Sequence, residues 1–244
     1  MKIRIGDYWG KRYDWVRHMA NYTKFRIREN IRFANPIQCS EVISNRMYEH
    51  YPDFLPMSNG LMVDVGPQYS DWSIIAAKKY GSNVISFEAS RRNFEIGLKN
   101  ISLNKMEKRI TPHYLALGNR MGNIESHYDG GMVNTIGNGE PETIPMTRLD
   151  AFAFIQKPDL IKIDIEGYEL EALHGMREVL LQYKPRVVIE THTSLLKEQC
   201  SSYLYSLGYE LKHENKGRKG NGSFDWVQET FWIEGIISQG GRKK

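Results

Sequence analysis

Three ionisable side chains interrupt an apolar run in the segment PDLIKIDIEGYE, which covers residues 158–169. The apolar residues form the near-continuous run that is typical of a parallel strand covered on both faces. Lys162, Asp164 and Glu166 share one side of this predicted strand, at a period of two residues. Because burying a charge is costly unless the charge is paired or used, we expect chemistry here.

A second polar pair, Glu190 and His192, follows the apolar run at residues 186–189. If this run pairs beside the first, strand spacing brings the two ends within about 5 Å. Asp164 or His192 could then accept a proton from a substrate hydroxyl, with Lys162 holding the carboxylates. Alternatively, Asp164 and Glu190, together with His192, could hold a divalent cation such as magnesium. The metal-free arrangement is favoured because the carboxylates form no contiguous ligand motif. The predicted catalytic cluster is therefore Lys162, Asp164, Glu190 and His192.

The segment VDVGPQYSDWS, residues 63–73, reads as a strand, a tight turn and a helix start. This arrangement lets a small ligand approach the backbone at a helix amino terminus. Glu88 ends the next predicted strand, where an acidic side chain can accept hydrogen bonds from two ribose hydroxyls. The sequence therefore predicts a cofactor that contains a nucleoside.

The charge pattern of this segment selects among such cofactors. The nicotinamide fingerprint G-x-G-x-x-G fails, because Gln68 and Asp71 stand where its second and third glycines would follow Gly66. The carboxylate of Asp64 would repel a pyrophosphate and attract an ammonium or sulfonium group. S-adenosylmethionine fits that pattern. Its methyl transfer is a displacement on an activated carbon, so the protein mainly has to align an acceptor and manage one proton.

Alternating strands and helices must position these residues. From Leu61 onward the chain predicts strand–helix alternation, which implies a doubly wound, mostly parallel sheet with ligands beyond the carboxyl ends of its strands. The predicted strands are 61–65, 83–87, 110–117, 124–128, 144–149, 160–165, 186–189, 209–213 and 230–237, and the predicted helices are 70–80, 91–103, 168–183 and 194–207. A Gly-rich loop or hairpin is predicted at residues 130–139.

Residues 1–59 lack this alternation and are rich in aromatic and basic side chains. We therefore expect an accessory segment over residues 1–59 and the catalytic domain over residues 60–244. The accessory segment could form a lid, contact substrate or make a homo-oligomer, or it could stack on bases and bind phosphate. The lid or dimer contact is favoured because aromatic side chains are more often buried.

Composition is that of an ordinary globular protein, with 41% hydrophobic and 25% charged residues and a net charge of +4. The sequence has no apolar run long enough for a membrane helix, and its amino terminus lacks the apolar core of a signal peptide. These features predict a cytoplasmic protein. The basic ends leave a nucleic-acid partner as the less favoured alternative to a small acceptor.

Several motifs together resemble the FkbM family of S-adenosylmethionine-dependent methyltransferases. The resemblance covers residues 61–192 and includes Phe87-Glu88-Ala89 and the signature KIDIEGYE at residues 162–169. Further matching positions are Asp64, Gly66, Asp71, Trp72, Ser73, Asn93, Asn100, Leu103, Asn104, Ala116, Leu117, Gly118, Gly122, Thr147, Arg148, Leu149 and Asp150. Pro67, Gln68 and Ser70 depart from the family, where Ala, Asn and a second Gly are usual. Ser70 is a good helix N-cap residue, but its side chain would narrow the approach to the cofactor's methionine end.

The resemblance implies a Rossmann-like class I methyltransferase fold, with a seven-stranded sheet preceded by a helical or irregular extension. It implies S-adenosylmethionine binding and O-methylation of a hydroxyl on a sugar, glycan or other small metabolite. The alternatives are an RNA-directed methyltransferase and a binding protein of the same fold that has lost activity. The cofactor site that it implies comprises Asp64, Gly66, Gln68, Ser70, Asp71, Glu88, Ala89, Asn93, Ala116, Leu117 and Asp164.

Overall fold

The structure is a computed structural model that describes residues 5–40, 42–43, 48–49, 54–129, 132–134, 140–154, 156–213 and 231–237. The helices are α1 (Ile5–Glu29), α2 (Asp71–Lys79), α3 (Arg91–Asn104), α4 (Glu169–His174), α5 (Arg177–Tyr183) and α6 (Ser194–Ser206). The strands are β1 (Leu61–Val65), β2 (Asn83–Glu88), β3 (Ile110–Tyr114), β4 (Ala116–Leu117), β5 (Gly122–Asp129), β6 (Met132–Asn134), β7 (Glu140–Thr147), β8 (Pro158–Ile163), β9 (Arg186–Thr191), β10 (Tyr209–His213) and β11 (Phe231–Ile237).

The main sheet has the strand order β10-β11-β9-β8-β1-β2-β3. Its five strands β9, β8, β1, β2 and β3 are parallel, and β11 and β10 add to it in antiparallel fashion. Every residue of β1 is buried, as expected for a strand covered on both faces. The doubly wound α/β prediction is confirmed. Strand β8 lies between β1 and β9, so the polar ends of all three strands meet at one edge of the sheet.

A second sheet, with the order β4-β7-β5-β6, stands beside the main one. The single strand predicted over residues 110–117 is wrong, because β3 joins the main sheet while β4 pairs with β7 in the second sheet. The predicted strand at 144–149 likewise begins earlier, at Glu140, and gives way to a 3-10 turn at Leu149. Alternation along the sequence indicates strands but not which sheet each joins.

The helix predicted over residues 168–183 is two helices, α4 and α5, separated at Gly175 and Met176. Gly175 packs directly against the backbone of Gly118, where a Cβ would overlap the carbonyl oxygen. The backbone N–H of Asp150 also donates to the carbonyl of Gly175 at 3.0 Å. Tertiary packing at this glycine therefore ends the helix that the apolar periodicity favoured.

The accessory segment packs on α2 and α3. Its fully buried Ile31 and its buried Phe33 share one apolar cluster with Trp72 and Ile101 of these helices. Two asparagines of α3 hold the segment by its backbone: Asn104 Oδ1 accepts from Arg32 N at 2.9 Å, and Asn100 Oδ1 accepts from Ala34 N at 2.8 Å. In the described part of the chain, none of the helices is both long and apolar enough to cross a membrane.

Part of the Gly-rich loop predicted at residues 130–139 is described, and residues 132–134 pair with β5 as a short strand. The other residues of that loop lie outside the described ranges, as do residues 214–230 between β10 and β11.

Candidate active site

The turn after β1 is pinned between two strand ends. Gly66 has a positive φ of 77° and donates its N–H to the carbonyl of Phe87 at 3.0 Å. A Cβ at this position would overlap the backbone of Asp164, so only glycine fits. Lys162 Nζ donates to the carbonyl of Gly66 at 2.6 Å. The turn therefore lies directly against the strand end that carries the predicted catalytic carboxylate.

Two residues of this turn that depart from the family pattern, Gln68 and Ser70, have left-handed backbone conformations. Gln68 and Ser70 have positive φ values of 49° and 59°, which glycine and asparagine adopt more readily. Ser70 occupies the N-cap position of α2, but its hydroxyl makes no capping hydrogen bond, so the predicted capping role is wrong. The hydroxyl instead turns toward α3 and lies 2.6 Å from where a Cβ of Gly97 would be. Gly97 thus makes room for the serine.

Glu88 lies at the end of β2, as predicted for a ribose-binding acid. The residue is 7% exposed, and Oε1 accepts from the backbone N–H of Ser90 at 2.7 Å. Burial raises the pKa of the carboxyl to about 7, although backbone donors at Ser90 and Gln68 oppose that shift. Asn93 follows at the start of α3, where Ser90 is the N-cap and accepts the backbone N–H of Asn93 at 3.3 Å.

An apolar cluster borders the ends of β2 and β3. Ala116, Ile144 and Met146 form its buried centre, and Ala89 and Tyr168 pack against them. Leu117 is buried in the main core beneath the sheet edge, whereas Ala116 is 9% exposed. That Ala89, Ala116 and Leu117 contact the cofactor stays a prediction.

Asp64 and Lys162 form a buried pair beneath the turn. The carboxylate of Asp64 is fully buried, accepts from Ser73 Oγ at 2.5 Å and lies 3.4 Å from Lys162 Nζ. Burial opposes the charge on Lys162, but Asp64, Asp164, Asp71 and Glu190 outweigh it and raise the pKa of the ammonium group. This geometry fits the predicted role of Lys162, which is to hold the carboxylates of Asp64 and Asp164 in place. That Asp64 contacts the cofactor stays a prediction, and its charge is already met by Lys162.

Asp164 follows β8 directly, and its backbone N–H donates to the carbonyl of Val65 at 3.0 Å. Its Oδ2 accepts from the hydroxyl of Tyr48 at 2.8 Å, and its Oδ1 lies 3.3 Å from His192 Nε2. Burial raises the pKa of this carboxyl, but Lys162, His192 and Tyr48 outweigh burial and hold the pKa below its ordinary value. The lowered pKa favours the ionised carboxylate, and the side chain of Asp164 remains 21% exposed beside the turn.

His192 faces three carboxylates. Its Nε2 lies 3.3 Å from Asp164 Oδ1, 3.6 Å from Glu166 Oε2 and 3.8 Å from Glu169 Oε1. Burial favours the neutral imidazole, but these acids outweigh burial and raise the pKa of His192 to about 9. A pKa above neutrality favours the protonated imidazole, which disfavours His192 as the base, and the choice between Asp164 and His192 as the proton acceptor stays a prediction.

Glu169, in the first turn of α4, hydrogen-bonds to the backbone of the turn that follows β8. It is fully buried, and its Oε1 accepts the backbone N–H groups of Ile165 and Gly167 at 3.2 and 3.1 Å. Between them Glu166 adopts a positive φ of 57°. Glu169 thus fixes the turn that directs Glu166 toward His192.

A candidate metal group consists of Asp164, Glu166 and His192, which each offer one ligand atom within 4.8 Å of the others. The sequence-based set contained Glu190 in place of Glu166. Glu190 is 7% exposed at the end of β9 and belongs to the electrostatic surroundings of Lys162 and Tyr48. Two carboxylates and one imidazole can hold a divalent cation, so the donor set fits such an ion.

The structure thus brings the four predicted catalytic residues together on one side of the turn: Lys162, Asp164, Glu190 and His192. Five of the predicted cofactor-binding residues lie along the turn and at the end of β2: Gly66, Gln68, Ser70, Asp71 and Glu88. Sequence reasoning missed Tyr48, because its contact with Asp164 spans 116 residues and follows no pattern in the sequence. It also missed the convergence of Glu166 with His192. The period of two shared with Lys162 and Asp164 does not explain this contact, because β8 ends at Ile163 and Glu166 lies in the turn that follows.

A parallel sheet with a glycine turn after β1, an acid at the end of β2 and a carboxylate directly after β8 is typical of Rossmann-like folds that bind a nucleoside-containing cofactor. The sequence pattern of the methyltransferase FkbM domain matches residues 64–213. The chain therefore belongs to the methyltransferase FkbM family.

Similar proteins agree with this assignment. The hexuronic acid methyltransferase AglP of Haloferax volcanii is 28% identical over 138 residues, which cover 54% of this chain and 56% of that protein. The crystal structure of methyltransferase FkbM from Methylobacillus flagellatus KT superposes with a TM-score of 0.55 at 20% identity, covering 91% of this chain and 60% of that one. A structure from Streptococcus agalactiae in the NADB-Rossmann superfamily gives 0.51 at 15% identity, covering 76% and 64%. The chain spans little more than half the length of the curated relative.

Proposed function

We propose that this methyltransferase transfers the methyl group of S-adenosylmethionine to a hydroxyl oxygen of a sugar or glycan. The observation that carries the proposal is the position of Asp164, an ionised carboxylate held against the Gly66 turn. The turn receives the cofactor, and Glu88 accepts hydrogen bonds from its ribose hydroxyls. Ala89 and Ala116 border the adenine, and Gln68, Ser70, Asp71 and Asn93 line the methionine side.

Methyl transfer forms a C–O bond as the C–S bond breaks, and the acceptor proton then leaves the oxygen. Asp164 Oδ1 is the group that accepts this proton, because His192 already carries one at neutral pH. A carboxylate with a low pKa suffices here, since an oxygen that has gained a methyl group while keeping its proton is strongly acidic.

The charge of the site supports a hydroxyl acceptor in preference to a carboxylate acceptor. Asp164, Glu166 and Glu169 surround the single imidazolium of His192. A hydroxyl can donate to such a site, whereas a carboxylate would be repelled by it. The curated relative is described as a hexuronic acid methyltransferase, and a hexuronic acid offers both groups. This comparison favours a sugar as the acceptor class.

The test is methyl transfer from labelled S-adenosylmethionine to neutral hexose glycosides and to hexuronic acid glycosides. We expect a methyl ether, which withstands mild base; a base-labile ester would contradict the hydroxyl assignment. Transfer to RNA alone, with salt-sensitive binding, would support the RNA-directed alternative. Absence of S-adenosylhomocysteine binding at millimolar concentration would leave only a binding protein that has lost activity.

A second candidate mechanism uses a divalent cation, and the convergence of Asp164, Glu166 and His192 favours considering it. A magnesium ion held there would lower the pKa of a bound hydroxyl. Turnover that is lost with EDTA and restored by Mg²⁺ would establish this mechanism, whereas full turnover in EDTA would support proton transfer to Asp164 alone.

The formation of a homo-oligomer also stays a prediction. Light scattering, which measures the molar mass in solution, tests it.

A further inference from the structure

The accessory segment delivers a side chain into the proposed active site. The hydroxyl of Tyr48 donates to Asp164 Oδ2 at 2.8 Å. Tyr48 lies in the segment predicted to be accessory, 116 residues from its partner. The contact therefore joins the amino-terminal part of the chain to the carboxylate on which the proposed chemistry depends.

Tyr48 is held in place from several sides. Its ring packs 5.5 Å from the ring of Trp72 and 5.3 Å from Lys162 Nζ, which places it over the buried ion pair. The adjacent Glu49 is an ion-pair partner of Lys79 and accepts a hydrogen bond from Tyr80. Residues 48 and 49 are thus anchored along α2, and the phenol approaches Asp164 from a fixed direction.

The two oxygens of Asp164 consequently have different partners. Oδ2 accepts the hydrogen bond of the Tyr48 phenol and lies 3.7 Å from Lys162 Nζ, while Oδ1 faces His192. A carboxylate that turned freely about its side-chain bonds would present either oxygen to an acceptor, and misplacement of a reacting group is costly in rate. We propose that Tyr48 is a positioning residue, which holds Oδ2 so that Oδ1 is the oxygen presented to the acceptor hydroxyl.

This inference rests on the proposed function, and Tyr48→Phe tests it because that change keeps the ring contacts and removes only the hydroxyl. With the hexose glycoside that gives the highest turnover, we expect kcat to fall about tenfold while the acceptor KM and the Kd for S-adenosylhomocysteine stay within about twofold. Tyr22→Phe is the matched control. The Tyr22 hydroxyl accepts from Phe33 N at 3.0 Å, so its loss should lower Tm without changing kcat.

A double-mutant cycle gives a second readout that needs no acceptor. Tyr48→Phe and Asp164→Asn should lower Tm by less together than the sum of their separate shifts, whereas Tyr22→Phe with Asp164→Asn should be additive. Additive shifts for Tyr48 and Asp164, or an unchanged kcat in Tyr48→Phe, would overturn the inference. Failure of the wild type to bind S-adenosylhomocysteine would instead overturn the proposed function.

Discussion

At the scale of single residues, burial and charged neighbours together decide what each carboxylate can do. Burial raises the pKa of Glu88 and of Glu169, whereas at Asp164 the effect of burial is outweighed by Lys162, His192 and Tyr48, which together lower the pKa. Glu169 accepts two backbone donors and acts as a brace. The side chain of Asp164 is 21% exposed, so one part of its carboxylate remains accessible. The same residue type therefore serves structure in one position and chemistry in another.

Glu88 makes the affinity for the cofactor depend on pH. Its pKa of about 7 belongs to the unliganded protein, and two ribose hydroxyls would favour the ionised form. Binding should therefore tighten as pH rises through 7. We expect the Kd for S-adenosylhomocysteine, measured by titration calorimetry, to fall by up to about tenfold for each pH unit between 6 and 7 and then to level off.

The variant Glu88→Gln tests this role of Glu88. We expect it to weaken cofactor binding but to stabilise the unliganded protein at high pH. Because the folded pKa lies above the ordinary value of 4.5, the unliganded wild type loses stability as pH rises from 4.5 to about 7. Glu88→Gln removes that loss, so at pH 8 its free energy of unfolding should exceed the wild-type value by about 1 to 3 kcal/mol. Its cofactor affinity should be weak and independent of pH. A pH-dependent affinity in this variant would contradict the assignment.

At the scale of elements, the turn after β1 and the helix α3 fit each other through Ser70 and Gly97. Alanine at Gly97 would meet the Ser70 hydroxyl at 2.6 Å, so the substitution alone should destabilise the fold by about 1 kcal/mol. In a Ser70→Gly background the space is free, and Gly97→Ala should then stabilise the helix by about 0.5 to 1 kcal/mol. The free energy of unfolding in urea should be measured for the wild type, Ser70→Gly, Gly97→Ala and the double variant. Additive effects of the two substitutions would contradict the contact between Ser70 and Gly97.

The elements also show what the sequence can predict. The bounds of β1 and β10 match the predicted strands, because apolar runs bounded by turn residues mark such strands directly. The break at Gly175 could not be predicted, since it depends on close approach to Gly118 from a different part of the chain. The positions of Asp164 and Glu88 at the edge of the sheet were predictable because each lies at or next to the end of a recognisable apolar strand. Tyr48 was not, because no local pattern links it to the site.

At the scale of the whole molecule, Asn100 connects the accessory segment to the cofactor turn. Its fully buried amide accepts from Ala34 N at 2.8 Å and donates to the carbonyl of Tyr69 at 2.9 Å. Asn100→Ala would leave the N–H of Ala34 and the carbonyl of Tyr69 without this partner. The free energy of unfolding should therefore fall by about 2 to 3 kcal/mol. The affinity for S-adenosylhomocysteine should fall as well, because the turn loses its support.

Asn83→Ala is the control for Asn100, since Asn83 donates to Gln156 at 3.1 Å at the opposite end of the sheet from the turn. That variant should lose less stability and bind the cofactor product as the wild type does. Equal losses of affinity in the two variants would show that the effect is general destabilisation and not a connection to the turn.

Methyl transfer by Asp164→Asn, measured with labelled S-adenosylmethionine and the preferred hexose glycoside, tests the account most directly. Asp159→Asn is its control, because Asp159 pairs with Arg186 at 3.0 Å at the other end of β8. We expect Asp164→Asn to bind S-adenosylhomocysteine within about threefold of the wild type and to turn over at least about a hundredfold more slowly, while Asp159→Asn keeps its turnover. Wild-type turnover in Asp164→Asn would contradict the account.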